Sequence, residues 1–288
     1  MQHSKAQTPQ SPLVSAEEVH KLSRGANRPV LLDVRWSLGD ADGHAHYLAG
    51  HLPRAVFVDL EAELSAPATP QGGRHPLPDP RDFQATARRW GINEDSEVVV
   101  YDATNGLAAA RAWWLLRHAG FARVRVLDGG LGAWERSGYG LDIGVHSTEP
   151  GNVELGWDRM PVIGIDTAAN FHGQLLDARA HERYTGATEP IDSRAGHIPG
   201  ARSRPTTENL DAEGRLLAPG RLAAALAELG MKPGAGAQDI AAYCGSGVTA
   251  AHQVLALETI GVRAALYPGS WSQYSADPAR PAATGPTP

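Results

Sequence analysis

The stretch AAYCGSGVTAAHQV, residues 241–254, holds the only cysteine of this 288-residue chain, Cys244. Free cysteine is usually a small buried hydrophobe. Here an apolar run leads into it, and Gly245, Ser246 and Gly247 turn the chain toward a helix-like run that begins near Val248. Glycines at those positions let the backbone N–H groups of Gly245, Gly247, Val248 and Thr249 converge on one point, a nest for an anion. The start of the helix adds partial positive charge. Such a loop favours a nucleophilic thiolate and would equally hold an anionic group attached to its sulfur.

The type of attack is narrowed by what surrounds the cysteine. A cysteine phosphatase needs an arginine six residues on to grip phosphate oxygens, and that position is Ala250. A cysteine hydrolase needs an oriented histidine base; the nearest, His252, lies further down the helix and reads as solvent-facing or packed. With one cysteine there is no intramolecular disulfide, no CxxC redox pair and no multi-cysteine zinc site.

The elements that must present this loop repeat along the chain. LLDVR at 31–35 recurs as LLDAR at 175–179, and AGHLPRA at 49–55 recurs as AGHIPGA at 195–201. VVVYDATNG from 98 pairs with IAAYCGSG from 240, and LDGGLGAW from 127 with YPGSWSQY from 267. The matches keep their order at separations of 140–146 residues, so a whole domain is duplicated. At the strand end that matches Cys244, the first half carries Asp102. Aspartate is no sulfur nucleophile, so one half reads as active and the other as retired. His51 and His197 occur identically in both halves, as do Arg35 and Arg179, and these pairs read as structural.

Short runs (Val30–Val34, Glu97–Tyr101, Arg123–Leu127) alternate with helical patterns. LAAARAWWLLRHAG stops at Gly120, RLAAALAELG at Gly230 and VTAAHQVLALETIG at Gly261, while Ser15 with Glu18 reads as a capping box. The expected fold class is α/β, with a mostly parallel sheet flanked by helices in each half. The expected organisation is a disordered tail over 1–14, a first domain over 15–141, a linker over 142–161 and a second, catalytic domain over 162–288. Net charge is −6 with no basic run, which argues against a nucleic-acid partner. The N-terminus lacks a secretory apolar core and no apolar run is long enough for a membrane span, so a soluble, cytoplasmic protein is expected.

CGSGVTA, the paired AGHLP and AGHIP segments, the LLDVR and LLDAR strands and the duplication resemble the rhodanese superfamily of sulfurtransferases, from about Ser15 to Tyr274. The resemblance implies two tandem rhodanese-like domains, no metal and no organic cofactor. The loop is similar to the 3-mercaptopyruvate type; thiosulfate-type loops place arginine or lysine where Gly245 and Ser246 stand. It implies that Cys244 takes a sulfane sulfur from a small anionic donor, 3-mercaptopyruvate before thiosulfate. The resulting persulfide would pass it to a thiol acceptor, a thioredoxin-like protein among the candidates, or to cyanide.

The same resemblance assigns proton transfer to Ser246, aided by a histidine and an aspartate from the first domain, at whose positions stand His75 and Glu61. Glutamate keeps the charge on a longer side chain. Arg183 matches a donor-binding arginine. A second such arginine usually follows Glu-Pro, but Ile191 follows Glu189–Pro190 here, leaving Arg194 as the nearest candidate. Trp36 falls where an aromatic often lines the interdomain cleft, although core packing accounts for it equally well. The alternative expectation is a non-catalytic rhodanese-like module that binds a partner or senses redox state through Cys244.

Overall fold

The computed structural model describes residues 11–230 and 234–288. The first half contains β1 (Leu13–Val14), α1 (Ala16–Ser23), β2 (Val30–Asp33), α2 (Gly43–Ala49), β3 (Val56–Phe57) and α3 (Leu60–Glu63). It continues with α4 (Pro80–Arg89), β4 (Val98–Tyr101), α5 (Ala109–His118), β5 (Val124–Leu127) and α6 (Gly130–Arg136). The strands form one parallel sheet in the order β1-β5-β4-β2-β3. The second half repeats the scheme with α7 (Ile165–Ala169), β6 (Gln174–Asp177), α8 (His181–Thr185), β7 (Arg202–Ser203) and a 3-10 turn at Thr206–Asn209. Then come α9 (Pro219–Ala227), β8 (Ile240–Tyr243), α10 (Thr249–Glu258), β9 (Ala265–Leu266) and α11 (Ser270–Ala276). Its sheet is parallel in the order β7-β6-β8-β9.

The central strands β4 and β8 are buried on both faces, as the unbroken apolar runs VVVY and IAAY require. Their helices carry the two domains into contact. Every residue of α10 from Ala250 to Leu257 is buried, and nine of the ten residues of α5 are buried too. A helix apolar on all sides must be covered on all sides. α5 and α10 pack against each other as well as on their own sheets, so one continuous core runs through both halves and includes Cys244 and Val248.

At the helix ends, Phe121 N–H bonds Leu116 O at 2.8 Å and Val262 N–H bonds Leu257 O at 3.0 Å, closing α5 and α10 over left-handed Gly120 and Gly261. Ser15 caps α1, its Oγ accepting the Glu18 N–H at 3.1 Å, but the Glu18 carboxylate pairs with Arg125 instead of closing a capping box.

The expected disordered tail over 1–14 is corrected at its end. Leu13–Val14 is an edge strand paired with β5, and Val126 N–H bonds Pro12 O at 2.8 Å. Residues 1–10 lie outside those described. In the second half Val162 takes the matching place, bridged in parallel to Leu266. The stretch 142–161 carries no helix or strand. It follows the first domain by backbone hydrogen bonds from Gly144 to Leu48, Gly151 to Arg88, Val153 to Ile92 and Gly156 to Ala119. No helix among the described residues is long and apolar enough to cross a membrane.

Candidate active site

Cys244 follows the last residue of β8 at the carboxyl edge of the sheet, where open α/β folds place their ligands. Its N–H donates to Ser270 Oγ at 3.1 Å and its carbonyl accepts the Trp271 N–H at 3.0 Å, so the backbone is held from both sides. Ser270 holds φ +53, the left-handed region, to make this contact. The thiol is 2% exposed, and the Gly247 N–H points at Sγ from 3.1 Å. Gly247 has φ +80, and a Cβ there would stand 2.3 Å from Pro268 O, so only glycine fits. Val248 buries its side chain in the interdomain core, and Thr249 opens α10, so Val248 can serve the loop only through its backbone.

The first domain meets this loop with a polar chain. His75 Nδ1 lies 2.7 Å from Ser246 Oγ, and His75 Nε2 lies 2.9 Å from Glu61 Oε1. Glu61 Oε1 also accepts the Trp36 indole N–H at 2.9 Å. A carboxylate only accepts, so His75 donates from Nε2 and Nδ1 receives the Ser246 hydroxyl. Burial pulls His75 below its usual value, against the raising influence of Glu61, and keeps the imidazole neutral. The longer glutamate therefore closes the three-residue chain that the sequence suggested. Trp36 lies edge-on to His75 at 5.6 Å between ring centres, so it belongs to the site. Glu61, Arg74, His75, Trp36 and Ile191 line a cleft of about 680 Å³.

Of the two arginines expected to hold the donor, one lies beside the loop. Arg183 lies beside Gly245, where a Cβ would sit 3.4 Å from its Nη1. It bonds Glu189 Oε1 at 2.7 Å and Asp192 Oδ2 at 2.9 Å. Burial pushes the Glu189 carboxyl up, but the Arg183 hydrogen bond, the Asp192 N–H and the Arg183 charge outweigh it and hold the group low. Burial likewise lifts Asp192, and there it prevails. Arg194 must be corrected. Its guanidinium bonds four carbonyls, of Ser275, Tyr274, Asp277 and Arg280, and so caps the end of α11. Four of its five N–H donors are spent there, and the side chain is directed at α11 and the turn after it.

Two arginines went unread in the sequence. Arg74, next to His75, crosses from the first domain to pair with Asp192 and reaches within 2.9 Å of a Cβ position on Gly245. Arg111 of α5 is fully buried and bonds the carbonyls of His75 (3.0 Å), Pro76 (3.2 Å), Leu64 (3.3 Å) and Gly247 (3.4 Å). Burial pulls its guanidinium down to about 10, with a Coulombic influence from Cys244 opposing. The loop itself is neutral, and the arginines that flank it come from outside it, one of them from the other domain. His252 is buried, its Nδ1 2.7 Å from Thr206 Oγ1, which settles its place as packing.

The repeated pairs are structural. Arg35 bonds Asp33 (2.7 Å) and Gly50 O (2.9 Å), and Arg179 bonds Asp177 (2.6 Å) and Gly196 O (2.7 Å). His51 and His197 stack on Tyr47 and Tyr184 at 4.1 and 3.7 Å between ring centres.

Two parallel-sheet domains that place a carboxylate and a thiol in equivalent loops define a duplicated, rhodanese-like protein. The family model for the rhodanese-like domain matches residues 15–137 and 166–277, and the chain belongs to that family. It is 46% identical over 279 residues to the putative thiosulfate sulfurtransferase SseB of Mycobacterium tuberculosis, covering 95% of this chain and 97% of that one. It is 45% identical over 265 residues to the probable 3-mercaptopyruvate sulfurtransferase of Pseudomonas aeruginosa, covering 89% and 92%. The crystal structure of SseA from Escherichia coli, a 3-mercaptopyruvate sulfotransferase, aligns with a TM-score of 0.79 at 34% identity, over 91% of this chain and all of the other.

Proposed function

We propose that the chain is a sulfurtransferase that takes sulfane sulfur from 3-mercaptopyruvate, with thiosulfate a poorer donor, and carries it as a persulfide on Cys244. The names of the two relatives differ in donor at nearly equal identity, so the choice rests on local chemistry. One observation carries it: the chain Glu61–His75–Ser246 ends two residues from Cys244.

In the first half-reaction the Cys244 thiolate attacks the mercaptopyruvate sulfur. The S–S bond forms, the S–C bond breaks and its electron pair goes to carbon as the enolate of pyruvate. The proton that leaves sulfur must reach that carbon. Neutral His75 accepts it through the Ser246 hydroxyl and returns it by the same path, while Glu61 stabilises the transient imidazolium. Thiosulfate releases sulfite, which needs no proton, so the polar chain gives it no advantage. In the second half-reaction a thiol or cyanide attacks the outer sulfur and regenerates the Cys244 thiolate, giving a new persulfide or thiocyanate.

Mass spectrometry after donor treatment without acceptor is expected to find one added sulfur atom on the peptide containing Cys244. Cys244→Ser is expected to abolish turnover. Turnover surviving in that variant would sink the proposal, because the chain has no other cysteine.

A further inference from the structure

We infer that the donor's anionic group is gripped by two arginines from opposite domains, Arg183 and Arg74, so that the donor site is complete only across the domain interface. This rests on the donor chemistry proposed above and extends it to a residue no motif marks.

Both guanidiniums flank the residue after the nucleophile. A Cβ on Gly245 would lie 2.9 Å from Arg74 Nη2 and 3.4 Å from Arg183 Nη1. Asp192, its side chain 4% exposed, bonds both arginines and fixes their separation. The Arg74 backbone is anchored in the other domain, its N–H on Ser272 Oγ at 3.1 Å. Among the described residues the buried Arg74 Nε–H finds no acceptor, an unmet donor beside Gly245. The alternatives lie elsewhere: the Arg194 guanidinium is held on four carbonyls at the end of α11, and position 191 is isoleucine. Ile191 and Arg74 line the same cleft, so the cation missing after Glu189–Pro190 is supplied from the facing wall. Paired guanidiniums suit a carboxylate or a sulfonate, because each offers parallel N–H donors to two oxygens.

The test compares Arg74→Gln, Arg74→Lys and Arg74→Gln/Asp192→Asn with wild type. KM and kcat are measured for both donors, together with protection of Cys244 from iodoacetamide by sulfite. For Arg74→Gln, KM for mercaptopyruvate is expected to rise at least about tenfold, with kcat changing less than about threefold. The sulfite concentration for half-protection should rise by a similar factor. Arg74→Lys, which keeps the charge but loses the fork, should fall between. The double variant should stay weak, because the cation is still missing. Half-protection and KM within about twofold of wild type in Arg74→Gln overturn the inference. So does full recovery in the double variant, which would assign the defect to the freed Asp192 charge. If wild type turns over neither donor, the proposed reaction fails, while sulfite protection still reads the two-arginine grip.

Discussion

Asp102 and Cys244 occupy the same place in two copies of one sheet. Each follows the last residue of its central strand, and the strands share a register, Tyr101 opposite Asp33 and Tyr243 opposite Asp177. The Asp102 carboxylate accepts four backbone N–H groups at 2.8 Å, from Thr104, Gly106, Ala108 and Ala109. The first domain thus holds an anion in a full ring of N–H groups at the place where, in the second, the Gly247 N–H points at sulfur.

Asp102→Ala leaves those four donors, three of them buried, without their acceptor. Unsatisfied buried groups cost about 1–3 kcal/mol each before relaxation, so a loss of at least about 3 kcal/mol is expected in urea unfolding. Asp102→Asn keeps the shape but not the charge and should lose less. Equal, small losses in both variants would mean that the nest does not depend on its carboxylate.

His75→Asn should separate the two donors. General acid–base assistance contributes about 10²–10⁴-fold, so mercaptopyruvate kcat is expected to fall by about 10²-fold or more. Thiosulfate turnover, whose leaving group takes no proton, should change by only a few-fold. Parallel losses for both donors would remove the proton chain from the mechanism.

Acid should weaken the fold through His252. Burial alone pulls its imidazole down to about 4, so the native chain keeps it neutral where an unfolded chain is protonated. Between the ordinary value of 6.5 and about 4 the unfolded state binds the extra proton, and stability falls as pH drops through that window. The loss by pH 4 is about 3 kcal/mol from this group. His75, His118, His146 and His197 are also held low by burial and share the trend, so the comparison must be with a variant. His252→Gln should flatten the urea-midpoint profile between pH 7 and 4. An unchanged slope would mean that His252 protonates in the native state.

Arg111→Met should loosen the join between the domains. It removes the donor shared by the carbonyls of His75 and Gly247, one from each domain, and leaves them buried. A loss of at least about 3 kcal/mol is expected. Differential scanning calorimetry of the intact chain checks this, and a midpoint within error of wild type would contradict it.

Local grammar made the Cys244 loop readable, because strand end, glycines and helix start are contiguous in sequence. His75 and Glu61 came from the resemblance, and their contact with Ser246 depends on how two domains face each other. The same cause hid Arg74 and Arg111. Arg111 sits in a run that reads as an ordinary apolar helix, and its partners lie 36 and 136 positions away. Nearness in sequence to Glu189–Pro190 does not place Arg194 at the donor site, because the folded chain turns its guanidinium onto α11. The duplication made the sheets legible, but the edge strand at Leu13–Val14 is too short for any periodicity to show.

The filled nest of the first domain also sets a stoichiometry. The Asp102 carboxylate is a ligand tethered to its own receptor, and a tether that short gives it an effective concentration that a free anion in solution does not match. A donor molecule would have to displace a competitor that never diffuses away. Under the proposed reaction, duplication therefore leaves two like loops and a valence of one, because the copy without a sulfur nucleophile does not draw donor away from the copy that has it.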